Sequence, residues 1–301
     1  MHAITVSEFG PPSVLVPAER PTPTVGPNDV LVEVTGAGVG PWDAKIRQGA
    51  FGPQSFPYVP GAEISGLVTA LGEATTGFTV GEPVFGSPGF FGGYAEYTVV
   101  DAGRLAGVPE GVDLEAVGAL PISATTALEG LDEHLHLASG DSVLVAGAAG
   151  GVGTLVVQLA RIRGARVVAT ASPEQHDYLR DLGADAVYDY HGDWIDEGRG
   201  VDAAFDCVGG PTWVGCLQAV RDGGRAVTIV GGAEPEGRDG VATSYFSATV
   251  TSARLELAAS LLASHQLRVE ISARLDLDDA VRAHELIETG HTRGKIVLLP
   301  G

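Results

Sequence analysis

A glycine-rich stretch at residues 147–153 has the residue types and the spacing that would let it bind the phosphate groups of a ligand. Its seven residues are Gly147, Ala148, Ala149, Gly150, Gly151, Val152 and Gly153. They follow the apolar run 141–146 and open a run of helical spacing, Val152–Arg163. Small residues there let backbone N–H groups approach a pyrophosphate at a helix N-terminus, which predicts a dinucleotide-binding loop. Ala148 stands in for the usual first glycine, and a plain glycine-rich turn between a strand and a helix is the alternative.

The residues after the next predicted strand bear on which dinucleotide this loop binds. NAD-dependent enzymes usually carry Asp or Glu there, about 20 residues beyond the loop, to hold the ribose 2′-OH. Here the strand Arg166–Thr170 is followed by Ala171 and Ser172, so no carboxylate repels a 2′-phosphate, and the sequence favours NADPH over NADH. The expected Lys or Arg is also missing, and His176 is either a contact to the 2′-phosphate or adenine or an ordinary surface histidine. Besides residues 147–153, the candidate cofactor-binding residues are Thr126, Ala171, Ser172, His176, Val208 and Gly231.

The succession of apolar runs predicts two kinds of structure around these residues. Residues 1–110 contain short apolar stretches separated by Gly and Pro turns, which is typical of a β-rich fold. Over residues 140–232 strand-like runs alternate with runs of helical spacing, which predicts a parallel sheet with helices on both faces. We expect the C-terminal part to pack on the N-terminal β-rich region. Its predicted helix, strand, helix and strand are Leu255–Ala263, Leu267–Ile271, Asp278–Glu288 and Ile296–Leu299.

Composition and charge exclude several classes of protein. The 301 residues suggest two domains, or one large one, and 45% hydrophobic residues allow a sizeable core. A formal net charge of −20, from 18 basic and 38 acidic residues, would repel phosphate backbones and anionic lipid, so we expect no nucleic-acid or membrane partner. No apolar run reaches the length of about 18 residues that a membrane helix needs, and the N-terminus has no signal-peptide pattern. We therefore expect a cytoplasmic location.

Several further segments resemble, in order, those of one protein family. Residues 37–49 read Ala-Gly-Val-Gly-Pro-Trp-Asp-Ala-Lys-Ile-Arg-Gln-Gly, and residues 56–63 read Phe-Pro-Tyr-Val-Pro-Gly-Ala-Glu. The other segments are 77–84, 92–97, 120–128 and 293–298. Together they resemble the zinc-independent medium-chain dehydrogenases/reductases of the quinone oxidoreductase (zeta-crystallin-like) family. The resemblance covers nearly the whole chain.

The resemblance implies an α/β fold with a GroES-like, β-rich catalytic domain and a Rossmann domain with a doubly wound parallel sheet. The first domain would comprise residues 1–116 and 262–301, and the second, which binds NADP(H), residues 117–261. The implied reaction transfers hydride from NADPH to a small quinone or to the C=C bond of an α,β-unsaturated carbonyl. The family also implies a homodimer formed by edge strands of the two nucleotide-binding sheets.

The same superfamily contains zinc-dependent alcohol dehydrogenases, whose metal ligands this sequence lacks. Their catalytic zinc needs Cys, His, and Cys or Asp at positions that here hold Gly40, Ala62 and Pro121. A zinc site is built from thiolate, imidazole or carboxylate ligands, and two cysteines cannot form a four-cysteine structural site. We therefore expect no metal.

Hydride reduction of a quinone or an enone leaves a negatively charged oxygen, which a nearby donor stabilises and a proton must reach. Only two of the 18 basic residues are lysines, Lys45 and Lys295, and both fall in segments that resemble the family. Lys45 could donate a hydrogen bond or a proton, whereas Arg could not supply a proton at neutral pH. A salt bridge from Lys45 to Asp43 or Glu63 is the alternative, and Lys295 is expected to be structural.

Three more side chains are candidates for the same chemistry, one of them in the same motif as Lys45 and two outside it. Asp43 is a catalytic candidate whose alternative role is to orient its loop. Tyr58 is a catalytic candidate whose alternative role is packing, and Tyr94 is a further tyrosine of this kind.

Two other functions remain open. An enoyl reductase of a biosynthetic pathway would perform the same chemistry on a larger or carrier-bound substrate, although a net charge of −20 argues against a basic patch for a carrier. A non-catalytic NADP(H)-binding redox sensor has its support in Gly40, which replaces the Asn that the family usually carries before Pro41.

Overall fold

The computed structural model describes residues 1–231 and 237–301, and the chain divides into two compact units. Unit 1 comprises Met1–Ala124 and Val250–Gly301, and unit 2 comprises Thr125–Thr249. The C-terminal part therefore returns to the N-terminal β-rich region, as the sequence predicts. The predicted boundary at 261/262 falls inside a helix, Ser252–Ala263, that lies entirely in unit 1.

Strands and helices in the described residues are numbered in chain order. The strands are β1 (His2–Val6), β2 (Leu15–Glu19), β3 (Asp29–Val39), β4 (Ile64–Leu71), β5 (Pro83–Gly86), β6 (Tyr97–Asp101), β7 (Leu105–Gly107), β8 (Ser142–Ala146), β9 (Arg166–Ala171), β10 (Ala186–Asp189), β11 (Val201–Asp206), β12 (Val220–Thr228), β13 (Ala242–Tyr245), β14 (Ile271–Asp276) and β15 (Lys295–Leu299). The α-helices are α1 (Pro41–Arg47), α2 (Leu114–Val117), α3 (Pro121–Glu129), α4 (Gly151–Ile162), α5 (His176–Leu182), α6 (Trp194–Glu197), α7 (Pro211–Ala219), α8 (Ser252–Ala263) and α9 (Ala280–Glu288). Among these helices, none combines the length and the apolar character that a membrane span requires.

Unit 1 is built on a seven-stranded sheet and a separate β1–β2 pair. The sheet has the order β14-β15-β3-β4-β5-β7, and β6 pairs with β3. Along β3, Val30, Val32 and Val34 are buried while their neighbours are more exposed, which is the period of two that a strand with one covered face requires. The C-terminal strand β15 runs antiparallel to β3, with Ile296 opposite Val39.

Strand β14 corrects one prediction. The apolar run predicts a strand at Leu267–Ile271, but β14 begins at Ile271 and runs to Asp276. Its side chains alternate between partly buried and exposed, and β14 is the last strand in the order of its sheet. Leu267 is buried outside any strand, so apolar character there reflects packing rather than strand structure.

Helix α1, which the sequence analysis did not predict, follows β3 directly. After β3 ends at Val39, α1 begins at Pro41, whose fixed φ suits the first helical position. Asp43 Oδ2 accepts a hydrogen bond from the Gly40 N–H at 2.9 Å, which satisfies a backbone donor at the start of the helix. This short helix carries two of the four catalytic candidates, Asp43 and Lys45.

Unit 2 contains the predicted parallel sheet. Its six strands have the order β10-β9-β8-β11-β12-β13, and every neighbouring pair is parallel. The chain runs outward from β8 through β9 to β10 and then returns to β11 on the other side of β8. The strand order therefore reverses between β8 and β11, which is the topological switch point of a doubly wound sheet.

Candidate active site

The glycine loop lies at the switch point of the unit 2 sheet. Gly147 follows β8 and Val208 follows β11, and a Cβ added at Gly147 would lie 2.8 Å from Val208 Cγ2. The strands β9 and β12 flank the β8–β11 pair on its two sides. Ala171 ends β9, and Gly231 comes shortly after β12. Open α/β sheets bind their ligands at such a point, beyond the carboxyl ends of the strands. The fold thus brings these four predicted residues to one edge of the sheet.

The start of α4 presents backbone donors to this edge. Its N-cap residue is Gly150, and no side chain caps the helix, so its first N–H groups are available to an anionic group. Gly153 has a packing role, because an added Cβ would lie 2.3 Å from the Gly147 carbonyl oxygen. A Cβ added at Gly150 would lie 3.5 Å from the same oxygen, which is ordinary contact. Packing within the protein therefore does not require glycine at position 150, whereas close approach of a ligand to the backbone would.

The remaining loop residues are held against β9 or line the loop surface. The Ala148 N–H donates a hydrogen bond to the Thr170 carbonyl oxygen at 3.2 Å, and Ala148 is fully buried. Ala149, Gly151 and Val152 are partly exposed. The position of the usual first glycine thus serves packing, and the surface of the loop is formed by the residues after it.

The end of β9 has no carboxylate of its own, but one lies close by. Ser172 Oγ donates a hydrogen bond to Glu174 Oε1 at 2.6 Å, so its hydroxyl is already engaged. His176 Nε2 donates to the Ala171 carbonyl oxygen at 3.3 Å. Thr126, the last cofactor candidate, lies nearly buried on α3. Glu174 therefore weakens the preference for a 2′-phosphate that Ser172 alone would give.

In unit 1, helix α1 places its candidates on two faces. Asp43 and Arg47, four residues apart, are buried, and Arg47 pairs with Glu288. The side chain of Lys45 is exposed, and its ammonium group makes no hydrogen bond or ion pair with any residue that the structure describes. The alternative salt bridge from Lys45 to Asp43 or Glu63 is not formed, so this ammonium group is available to a ligand.

The second lysine instead holds a buried ion pair. Lys295 Nζ donates to Glu63 Oε1 at 2.6 Å and to the Val39 carbonyl oxygen at 3.0 Å, and Glu63 Oε2 accepts from the Ile122 N–H at 2.8 Å. Burial raises the pKa of Glu63, and the charge of Lys295 opposes that shift. A Cβ added at Gly38 would lie 2.5 Å from Glu63 Oε1, so glycine there makes room for the pair. The ion pair joins β15 to β3 and to the start of α3.

Asp43 is a buried carboxyl group with a raised pKa. It is 4% exposed, and its Oδ1 has no hydrogen-bond partner among the described residues. Burial raises its pKa to about 7, against the hydrogen bond from Gly40 and the charge of Lys295, while Glu63 raises it further. Near neutral pH the group is present in both protonation states, which suits a proton donor.

Two buried tyrosines, Tyr58 and Tyr94, lie within the electrostatic influence of Asp43, and a buried histidine, His284, lies beside Tyr94. The Tyr58 hydroxyl is buried with no partner in the described part of the chain, and burial raises its pKa. The Tyr94 hydroxyl lies 3.3 Å from His284 Nε2, and burial, followed by the charge of Asp43, raises the Tyr94 pKa. Burial lowers the pKa of His284 to about 3, so its ring is neutral at physiological pH.

Comparisons with known proteins agree with this arrangement. Residues 26–110 match the alcohol dehydrogenase GroES-like domain, and residues 182–298 match the family described as zinc-binding dehydrogenase. The NADPH-dependent alkenal/one oxidoreductase of Arabidopsis thaliana, a chloroplastic protein, is 32% identical over 100% of this chain and 80% of its own length. The quinone oxidoreductase from Coxiella burnetii is 31% identical, with a TM-score of 0.91 over 100% of this chain and 99% of that one. This chain belongs to the quinone oxidoreductase family of medium-chain dehydrogenases/reductases.

A third similarity concerns the cofactor of this family. A mycobacterial protein whose structure was solved in complex with NADPH is 31% identical to this chain, with a TM-score of 0.88 over 100% of both chains. Together with the family matches and the unit 2 sheet, these similarities confirm the predicted fold, a GroES-like domain with a Rossmann domain.

Gly40, Ala62 and Pro121, the positions that the resemblance assigns to zinc ligands in alcohol dehydrogenases, carry no thiol, imidazole or carboxylate group. Within residues 1–231 and 237–301, no three His, Cys, Asp or Glu side chains group closely enough to hold a metal ion. A Cβ added at Gly40 would lie 3.5 Å from Lys295 Nζ and 3.8 Å from Asp43 Oδ2. The space beside position 40 is thus bordered by an ammonium group and a carboxyl group.

Asp206, at the end of β11, is a site residue that the sequence analysis missed. Its Oδ1 accepts hydrogen bonds from the Val208 N–H at 2.9 Å and the Gly209 N–H at 3.0 Å, and its Oδ2 accepts from Thr228 Oγ1 at 2.8 Å. These bonds hold the loop that carries Val208 at the switch point. In the sequence, Asp206 is the one carboxylate within the apolar run Ala203–Val208, and this feature could have identified it.

Proposed function

We propose that this chain is an NADPH-dependent reductase that transfers hydride to a quinone or to the C=C bond of an α,β-unsaturated carbonyl, without a metal. The observation that carries the proposal is the glycine loop at the β8/β11 switch point, where α4 begins without a side-chain cap. The family of the chain, and the NADPH named for two of its relatives, support this choice of cofactor. Residues 147–153 would hold the pyrophosphate of NADPH, Ser172 and His176 would be the residues available to its 2′-phosphate, and the cofactor would supply the hydride.

Lys45 is the residue that we propose to stabilise the oxygen that becomes negatively charged. Its ammonium group is exposed and, among the described residues, has no competing partner, so it donates a hydrogen bond or a proton to that oxygen. Asp43, with its pKa of about 7, is the second proton donor, and its bond to the Gly40 N–H also positions α1. Tyr58, whose buried hydroxyl has no partner in the described part of the chain, is the third candidate.

The same proposal includes the setting in which the enzyme works. We infer a homodimer through the edge of the unit 2 sheet, and the support is that β13 is the last strand in the order of that sheet. A net charge of −20 supports the absence of nucleic-acid and membrane partners, and we propose a cytoplasmic location. A biosynthetic enoyl reductase and a non-catalytic sensor are not favoured, because the relatives are named as quinone and alkenal/one oxidoreductases.

The test follows oxidation of NADPH and of NADH in parallel, with a small quinone and a set of enones as acceptors. We expect rapid oxidation of NADPH with at least one acceptor class, and slower oxidation of NADH. Lys45→Met should lower kcat with every acceptor and leave NADPH binding unchanged. Lys45→Arg can donate a hydrogen bond but not a proton at neutral pH, so it should recover only the part of kcat that depends on hydrogen bonding. Measurable NADPH binding with no turnover of any acceptor would contradict the proposed function.

A further inference from the structure

An array of seven aromatic rings runs through unit 1 beside helix α1. The chain has nine Phe, seven Tyr and three Trp residues, and seven of these rings are linked by successive ring contacts. We call this set the aromatic array. Its members, in order of contact, are Phe51, Trp42, Phe90, Phe91, Tyr58, Phe56 and Phe9.

One end of the aromatic array has flat, exposed faces. The ring centroids of Trp42 and Phe51 are 4.1 Å apart with an interplanar angle of 36°, and those of Trp42 and Phe90 are 5.8 Å apart at 27°. Phe51 is 41% exposed and Phe90 56% exposed. Large apolar side chains that are exposed together, rather than singly, mark a binding surface. Because Phe51 and Phe90 each lie within about 40° of parallel to Trp42, they offer ring faces on which another planar ring can stack.

Lys45 adds a cation to this end of the array. Trp42 and Lys45 are three residues apart on α1, so their side chains lie on neighbouring positions of one helix face. The ammonium group of Lys45 has no hydrogen-bond or ion-pair partner in the described residues. A planar ligand with an oxygen at its rim can therefore stack on the rings and place that oxygen at the ammonium group. In a protein with a net charge of −20, this combination fits an uncharged ring that becomes an oxyanion better than it fits an acidic or a purely aliphatic ligand.

We propose that Trp42, Phe51 and Phe90, together with Lys45, form the acceptor-binding surface of this reductase and select planar, fused-ring quinones over small acyclic enones. This inference rests on the proposed function and names the substrate class of the same site. Stacking on the three rings provides affinity only for a planar acceptor, whereas Lys45 acts on the oxygen of either kind of acceptor. Contacts between aromatic rings contribute binding free energy beyond that of the area they bury, and only a planar acceptor can gain it.

The experiment compares two acceptors, menadione and a small acyclic enone such as pentenone, across matched variants. Phe51→Leu and Phe90→Leu each replace an exposed ring, and Trp42→Leu replaces the ring between them. We expect each to lower the ratio of kcat/KM for menadione to kcat/KM for pentenone by about tenfold. Trp42→Phe should restore most of the menadione activity, since it retains a flat ring. Phe9→Leu, which changes an exposed ring at the far end of the array, is the control and should affect neither acceptor.

A second readout separates binding from turnover. Isothermal titration of menadione into the protein without NADPH should show binding that Trp42→Leu and Phe51→Leu weaken and that Phe9→Leu leaves unchanged. Equal loss of activity with both acceptors, or no loss with menadione, would overturn the inference while the proposed function stands. A change of oligomeric mass in light scattering with unchanged kinetics would also overturn it, because the rings would then cover a second copy of the chain. Absence of turnover in the unaltered protein with either acceptor, despite NADPH binding, would instead refute the proposed function.

Discussion

The two units prepare their sites with different kinds of charge. In unit 2 the glycine loop relies on partial charges of backbone N–H groups at the start of α4, and Asp206 is held by three different donors. In unit 1 the site is built on full charges taken out of water, namely the Glu63–Lys295 pair and the carboxyl group of Asp43. A site made of backbone dipoles depends on shape, whereas a site made of buried side-chain charges depends on partners and pH.

This difference indicates how each region should fail. The glycine loop of unit 2 should be sensitive to a single added methyl group where the backbone packs closely, and less sensitive to the loss of an exposed side chain nearby. Unit 1 should be sensitive to the loss of one charge and should recover when its partner is removed too. The predictions below test this contrast in order of decreasing effect.

The largest effect is expected from removing one partner of the buried ion pair in unit 1. Lys295→Met would leave Glu63 buried without its cation, and such a loss costs about 3–5 kcal/mol of unfolding free energy. The double variant Lys295→Met/Glu63→Leu should recover a large part of that loss, because no uncompensated charge remains. Urea unfolding measures both. Arg180→Ala, which removes an exposed pair with Asp177, is the control and should change stability little. A double variant no more stable than Lys295→Met alone would show that the two charges are not coupled.

A matched pair of glycine substitutions tests the shape dependence of unit 2. Gly153→Ala would place a Cβ 2.3 Å from the Gly147 carbonyl oxygen, and overpacking of this kind typically costs about 1–3 kcal/mol. Gly150→Ala would place a Cβ 3.5 Å from the same oxygen and should leave stability unchanged. It should nevertheless weaken NADPH binding about tenfold, because the added methyl group blocks close approach of the pyrophosphate.

Thermal unfolding and titration of NADPH, measured on both glycine variants, check this prediction. The expected pattern is a loss of stability in Gly153→Ala and a loss of NADPH affinity at normal stability in Gly150→Ala. If Gly150→Ala bound NADPH as tightly as the unaltered protein, the pyrophosphate would not lie against this part of the loop.

The pH dependence of stability in unit 1 should contain two opposite contributions. The folded-state pKa of Asp43, about 7, lies above its ordinary value of 3.8, so this group stabilises the fold at low pH and its contribution is lost as pH rises toward 7. The folded-state pKa of His284, about 3, lies below its ordinary value of 6.5, so its contribution is lost as pH falls from 6.5 toward 3. Between about pH 4 and 6.5 the two slopes oppose each other, each amounting to roughly 1.4 kcal/mol per pH unit at most.

Two variants separate these contributions. Asp43→Asn should become less stable as pH falls through this window, whereas His284→Phe should become more stable. Unfolding free energies measured by urea at several pH values give both slopes. Glu63, Lys295 and Arg47 face these groups in all three proteins, so their titration cancels in the comparison. Slopes of the same sign in the two variants would contradict the assignment.

The contrast between the units also explains what the sequence could predict. The glycine loop occupies seven consecutive residues between a strand and a helix, so its type, its position and its parallel sheet follow from local pattern. The partners of the unit 1 cluster are far apart in the chain, as Val39, Glu63 and Lys295 are, and no local pattern joins them. Because only two of the 18 basic residues are lysines, Lys45 and Lys295 stood out in the sequence. The sequence could not show that Lys45 is exposed and Lys295 buried.

Local pattern also failed for the short helix α1, which carries two of the catalytic candidates. Glycines before Pro41 obscured α1, although Pro41 followed two residues later by Asp43 is a helix-start signal. The buried Tyr94–His284 contact depends on α9 packing against the core of unit 1 and had no signal beyond the period of the helix. Such contacts come from tertiary packing, which a single sequence does not specify locally.

The smallest effect in this series concerns the choice between NADPH and NADH in unit 2. Glu174 accepts the hydrogen bond of Ser172 and adds a negative charge beside the end of β9. Glu174→Gln should therefore bind NADPH a few-fold more tightly, on the order of 0.5–1 kcal/mol for an exposed charge, and should leave NADH affinity unchanged because NADH has no 2′-phosphate. Fluorescence titration with both cofactors measures this, and Glu197→Gln on α6 is the control for a general change in surface charge. An equal gain for NADH would mean that Glu174 acts on the ribose or adenine rather than on the phosphate, and the serine at the end of β9 would then not explain the preference.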